Sequence, residues 1–363
     1  MEITLSTSKP TSVMIVAGAR PNFMKIAPIV AELDKMQVKN TLVHTGQHYD
    51  QAMSDSFFEE LNIKPPDFNL NIGSDTHARQ TAKIMEAFEP IVTEFNPSFL
   101  VVVGDVNSTL AAALTAVKIG IKVAHVEAGL RSFDKTMPEE INRIVVDHIS
   151  DILFAPSQDG VVNLKNEGLL NKTELVGNVM VDTLSQHLNS AIKRPIVSEL
   201  GADRYGLLTL HRPSNVDDKE VLKNLIEAII EISKTLQIIF PCHPRTKDKI
   251  KEFNLPKTIK VIDPVSYFDS IALQSAAKVV LTDSGGMQEE CTILGVPCLT
   301  LRDNTERPIT VSEGTNFIVG NDKNKILSTF NQVINKEFKV SVPYLWDGQA
   351  SKRIVQSLVE KME

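Results

Sequence analysis

Short runs of β-branched and apolar residues alternate with helix-forming stretches along this chain. That rhythm restricts it to a parallel sheet wrapped by helices on both faces. The first set of runs is Ser12–Val16, Thr41–His44, Phe99–Val103, Lys122–Val126 and Ile152–Ala155. A second set follows Gly177: Gly206–Leu210, Gln237–Phe240, Lys260–Ile262, Lys278–Leu281 and Pro297–Leu301. Two α/β units of similar size are therefore expected in the 363 residues, with the boundary where Val176-Gly177-Asn178 breaks the pattern. Two such units share an interdomain crevice, the expected place for an active site.

The composition is that of ordinary globular material, 42% hydrophobic and 23% charged, and the net charge of -7 argues against a general nucleic-acid or anionic-membrane surface. Binding of a polyanion would have to be local. No apolar run approaches spanning length, and Met1–Pro10 lacks the basic and apolar regions of a signal peptide, so no membrane partner and a cytoplasmic address are expected. Cys242, Cys291 and Cys298 lack metal-ligand or disulfide spacing and read as buried free thiols.

In open parallel sheets ligands bind beyond the carboxyl ends of strands, and here those positions are polar. The first run leads into Gly18-Ala-Arg-Pro-Asn-Phe-Met-Lys25, where Arg20 and Lys25 flank the start of a helix expected over Met24–Leu33. The second ends in His44-Thr-Gly-Gln-His-Tyr-Asp50, which suits polar recognition or an ordinary hydrogen-bonded turn. Asp105 follows the third run and heads a helix expected over Ser108–Ile119. Glu127 follows the fourth, and Glu139 opens the next helix. Singly, each carboxylate reads as a cap or a surface ion pair. Converging at one sheet edge, they read as an acid and base set.

In the second unit His211-Arg212 and His243-Pro-Arg245 follow strand runs, and Lys278–Glu290 reads strand, tight turn, helix. Its Asp283-Ser284-Gly285-Gly286 turn leaves N–H groups at a helix start with little side-chain bulk above them, a candidate cradle for phosphate. Glu290, one turn on, can accept ribose hydroxyls. There is no Gly-x-Gly-x-x-Gly after the first run, no Gly-x-x-x-x-Gly-Lys-Ser/Thr, and no His/Cys metal cluster. The expectation is chemistry with no cofactor and no metal.

Together, Gly18–Pro28, Gly46–His48, Gly104–Asp105, His125–Arg131, Pro138–Arg143, His211–Arg212, Asp283–Glu290, Leu301–Pro308 and Asp347–Ile354 resemble the non-hydrolysing UDP-N-acetylglucosamine 2-epimerases. The resemblance covers nearly the whole chain. It implies two Rossmann-like domains of the glycosyltransferase-B type, the first spanning residues 1–176 and joined by a C-terminal helix at 350–363, the second spanning 177–349. It also implies interconversion of UDP-N-acetylglucosamine and UDP-N-acetylmannosamine by loss of UDP to 2-acetamidoglucal and its re-addition, for surface-polysaccharide precursors, in a homodimer.

On matching positions, Asp105, Glu127, Glu139 and His211 look like the catalytic set, assisted by Lys25 and Arg131. Arg20, Ser284, Gly285, Gly286 and Glu290 look like UDP contacts, and His243 and Arg307 join them from the neighbouring strand ends. Many bacterial members carry a second Arg after the His-Arg pair and an amide where Asp50 stands. This chain has Pro213 after its pair, so their activation by substrate is not implied. Epimerisation of a related sugar such as UDP-2,3-diacetamido-glucuronic acid is the alternative substrate. A UDP-sugar glycosyltransferase or a non-catalytic sensor would share the nucleotide half, but neither needs the carboxylates.

Overall fold

The computed structural model describes residues 12–46, 58, 60–336, 338 and 342–362. The chain divides into two compact units, one comprising the chain up to Thr183 with Tyr344–Glu363, the other Leu184–Pro343. Each is an α/β layer structure around one parallel sheet.

In the first unit the strands are β1 (Ser12–Ala17), β2 (Lys39–His44), β3 (Phe68–Asn69), β4 (Phe99–Val103), β5 (Lys122–Val126), β6 (Ile152–Ala155) and β7 (Thr173–Leu175), in the order β3-β2-β1-β4-β5-β6-β7. Every residue of β4 is buried, as in a sheet covered on both faces. The chain leaves the centre from β1 outward to β3, then crosses back to β4. The topological switch point therefore lies past the carboxyl ends of β1 and β4. Helix Arg20–Lys35 follows β1, Asn107–Lys118 follows β4, and Pro138–Ile149 follows β5. The last helix, Ala350–Met362, also belongs to this unit, where Asp182 accepts the backbone N–H groups of Ala350 and Ser351 at 3.0 and 2.7 Å.

The second unit repeats the plan with β8 (Tyr205–Thr209), β9 (Gln237–Pro241), β10 (Ile259–Ile262), β11 (Val279–Thr282), β12 (Cys298–Thr300) and β13 (Asn316–Ile318), ordered β10-β9-β8-β11-β12-β13. Its switch point lies past β8 and β11, where the chain runs into His211-Arg212 and Asp283-Ser284. Cys242, Cys291 and Cys298 are buried and free. No helix among the described residues is long and apolar enough to cross a membrane.

Candidate active site

The switch point of the first unit is built by side chains that tie its loops together. Asn22, in the first turn after β1, accepts from the N–H groups of Gly18 and Ala19 at 3.1 and 2.9 Å and donates to the Val103 carbonyl of β4 at 3.2 Å. One helical turn on, the buried Lys25 ammonium forms an ion pair with Glu127 just past β5. Gly104 makes room for that pair, because a Cβ there would lie 3.1 Å from Lys25 Nζ and 3.4 Å from Glu127 Oε2. Glu127 itself has φ +68, a left-handed backbone that costs energy in a residue with a side chain and that clusters at functional sites.

Asp105 follows Gly104 directly and is held by Arg143 Nη1 at 2.7 Å, with its backbone carbonyl accepting from Asn142 at 2.8 Å. Arg143 also binds Glu140, whose two carboxylate oxygens accept the N–H groups of Ser132 and Phe133 at 3.0 and 2.8 Å. Glu139 is half-buried in the first turn of the same helix.

Behind these loops runs a buried ionic chain. Asp147 meets His125 Nδ1 at 2.7 Å, the Gly129 N–H at 3.1 Å and Arg131 Nη2 at 2.7 Å. His125 Nε2 faces the Gly104 carbonyl at 2.9 Å. Burial would push the Asp147 carboxyl up, but His125 and Arg131 outweigh it and hold the group below its ordinary value. Arg131 also donates to Glu167, at 2.8 and 2.7 Å, and to the Leu130 carbonyl at 2.8 Å. Most of its guanidinium donors thus go to protein partners.

Arg143, Glu140 and Asp147 did not stand out as site residues in the sequence. Their spacing of three and four in Pro138–Ile149 is the available signal, since it puts all three on one helix face that is in fact buried. His44 is buried, accepts from the Gly46 N–H at 2.6 Å and is pushed down to about 4 by burial, so it is a neutral structural group. Gln47, His48, Asp50 and the side chains of Arg20 and Arg245 lie outside the described residues.

In the second unit Asp283 is the organiser. Fully buried past β11, it accepts the N–H groups of His211 and Arg212 at 3.0 and 2.9 Å and pairs with His211 Nδ1 at 2.9 Å. Burial pushes its carboxyl up, yet His211 and the two N–H groups pull it below the ordinary value. The contact occupies Nδ1 and leaves Nε2 as the ring's other hydrogen-bonding atom. His211 and Ser284 line a cavity of about 230 Å³ together with His243, Thr209, Ser270 and Met287.

Ser284 precedes helix Gly285–Leu294. The place of a Gly285 Cβ is taken by Arg307 Nη1 at 2.6 Å and Glu306 Oε1 at 2.7 Å. This glycine therefore admits side chains from the loop after β12, a role the bare-backbone reading of the turn does not contain. Around it Glu306 meets Arg307, Arg302 and, at 4.0 Å, Arg212, while Arg307 meets Glu289 at 2.8 Å. Those guanidiniums outweigh burial and hold Glu306 well below the ordinary carboxylate range. The buried Arg212 Nε and Arg302 Nη1 near this helix start have no hydrogen-bond partner among the described residues. Such donors suit a bound anion. Gly286 is half-buried, and Glu290 lies buried on the same helix, accepting from Gln274 at 2.7 Å and pushed up to about 7 by that burial.

The comparisons with known proteins agree with this fold. A family profile described as UDP-N-acetylglucosamine 2-epimerase matches residues 31–359. A UDP-N-acetylglucosamine 2-epimerase of Methanocaldococcus jannaschii is 48% identical over 95% of this chain and 98% of its own length. The crystal structure of the M. jannaschii enzyme in complex with UDP-GlcNAc and UDP superposes with a TM-score of 0.89 at 47% identity, covering 96% of this chain and 99% of that one. A UDP-2,3-diacetamido-2,3-dideoxy-D-glucuronate 2-epimerase of Pseudomonas aeruginosa is 40% identical over 96% of this chain and 99% of its own length. With two parallel Rossmann-like sheets and a match across nearly its full length, the chain belongs to the UDP-N-acetylglucosamine 2-epimerase family.

Proposed function

We propose that this protein interconverts UDP-N-acetylglucosamine and UDP-N-acetylmannosamine by elimination and re-addition of UDP. The observation that carries the reading is the Lys25–Glu127 pair beside Asp105, gathered at one switch point on a strained backbone. A protein that merely bound a nucleotide sugar would need no such base. The C2 hydrogen of a neutral N-acetylhexosamine is weakly acidic, with no ring carbonyl to take up the charge. Breaking the C1–oxygen bond first, or in concert, sends that electron pair to the β-phosphate and gives C1 positive character, which acidifies the neighbouring C–H.

A carboxylate among Asp105, Glu127 and Glu139 then takes the C2 proton, leaving 2-acetamidoglucal. Another delivers a proton to the opposite face before UDP adds back. The reading uses both units. The carboxylates of the first act on the sugar, with Arg131 as a positioning residue through Asp147. In the second, Ser284, Gly285, Gly286, Arg307, His243 and Glu290 hold UDP, with Arg20 contributing from the first. His211, oriented by Asp283, serves the departing phosphate oxygen, whose growing negative charge fixed donors stabilise.

Incubation with UDP-N-acetylglucosamine alone, followed by NMR, should show the manno epimer accumulating to equilibrium; unchanged substrate with saturated protein would defeat the reading. The Pseudomonas relative favours UDP-2,3-diacetamido-glucuronic acid as the second candidate substrate, and a parallel incubation with that sugar decides between them. Assembly as a homodimer and a cytoplasmic address belong to the proposal, and light scattering at several concentrations tests the first.

A further inference from the structure

Phe133 combines two features that are separately costly. Its side chain is exposed, at 78% of its full accessibility, and its backbone sits at φ +59, where a bulky L residue is an outlier. The surroundings hold it there. The Phe133 N–H donates to Glu140 Oε1 at 2.8 Å and the Ser132 N–H to Glu140 Oε2 at 3.0 Å. Glu140 is buried and bound by Arg143 Nε at 2.9 Å. The same guanidinium binds Asp105 at 2.7 Å.

One arginine thus fixes both a proposed catalytic carboxylate and the turn that presents the ring. A glycine at position 133 would make this turn without strain and without exposing an aromatic surface to water. Strain of this kind persists where a site uses what it presents.

We infer that Phe133 is a substrate-contacting residue whose ring forms an apolar wall against the acetamido group of the sugar. This rests on the proposed epimerase reading. The contact is to the sugar because the turn is tied to Asp105 on the unit that carries the carboxylates, whereas all the proposed UDP-binding groups but Arg20 lie on the other unit. Within an N-acetylhexosamine the acetamido methyl is the one methyl group, and it matches an aromatic face. Held there, the acetamido group also fixes the orientation of the sugar ring, and with it the direction of C2–H relative to the base.

The experiment compares the wild-type chain with Phe133→Gly and Phe133→Leu. Wild-type protein is first assayed for epimerisation of UDP-N-acetylglucosamine; failure at that step defeats the functional reading and this inference with it. With activity in hand, Phe133→Gly should melt no lower than wild type, since no packed contact is lost and the strained backbone is relieved. Its kcat/KM should fall about tenfold or more, chiefly through KM, the scale set by small apolar contacts in a pocket. Phe133→Leu should fall between the two, and UDP affinity by calorimetry should be unchanged in both. Wild-type kcat/KM in Phe133→Gly would overturn the inference. So would an equal loss of UDP affinity, which would move the contact to the nucleotide, or a lower melting temperature with a loss confined to kcat, which would make the ring structural.

Discussion

Replacing Gly104 by alanine separates the two jobs of that residue. Gly104 lies at φ +67 directly after β4, where an alanine costs roughly 1–2 kcal/mol for its left-handed backbone. The added methyl would lie 3.1 Å from Lys25 Nζ and 3.4 Å from Glu127 Oε2. A lysine terminus yields easily, so the contact adds little to the loss of stability. It does shift the ammonium by a few tenths of an ångström against its carboxylate, and since a misplacement of about 1 Å costs on the order of 10²-fold in rate, this smaller one costs roughly severalfold to tenfold. Gly120 supplies the control, since it has φ +80 and a methyl added there would meet nothing within 4 Å. Denaturant unfolding should therefore show both Gly104→Ala and Gly120→Ala destabilised by about 1–2 kcal/mol. The epimerisation rate should fall severalfold, by up to about tenfold, in the first and stay near wild type in the second. Equal rates in the two variants would refute the argument that Gly104 exists to seat the Lys25–Glu127 pair.

Glu290 sets a dependence on pH. Burial raises its carboxyl from 4.5 to about 7, so between those values the folded chain keeps a proton that the unfolded chain has released. Stability should fall as pH rises through that window and level off above it. Glu290→Gln should remove the slope, raising stability at alkaline pH by about 3 kcal/mol, as read from denaturant midpoints on either side of the window, while weakening UDP. Asp105→Asn, Glu127→Gln and Glu139→Gln should each cut turnover by about 10²–10⁴-fold with little change in UDP affinity, and near-normal turnover in any of them would demote that residue to a structural role. Gly285→Val would drive a side chain into the space of Arg307 and Glu306. Loss of one charge-assisted hydrogen bond there should weaken UDP by about tenfold or more, measured by calorimetry on a variant with a normal circular dichroism spectrum.

Most of the sheet framework is legible in the sequence because central parallel strands are buried on both faces and read as continuous apolar runs, as in Phe99–Val103. The strands that escape are the short ones Phe68–Asn69, Thr173–Leu175 and Asn316–Ile318, where two or three residues carry no usable period. The proposed site residues Asp105, Glu127, His211 and Ser284 are visible because polarity begins where each run ends. Their supports are not. Glu140, Arg143 and Asp147 sit among charged neighbours on a helix and read as a solvated face until the fold buries them.

Arg131 shows the opposite difficulty. The resemblance gives it an assisting role, and only the positions of Asp147 and Glu167, at 16 and 36 residues' remove along the chain, reveal that most of its donors go to protein carboxylates. The left-handed backbones of Glu127 and Phe133 leave no trace in composition, since nothing in a side chain's identity announces a φ that its neighbours impose.

The most direct test of the elimination and re-addition route is turnover in D₂O with substrate carrying ¹⁸O in the bridge between C1 and the β-phosphate. The product should contain deuterium at C2, and the label should scramble into non-bridging positions of the β-phosphate as the C1–oxygen bond breaks and re-forms. Epimerisation with full retention of the C2 hydrogen, or with the label held in the bridge, would contradict the account.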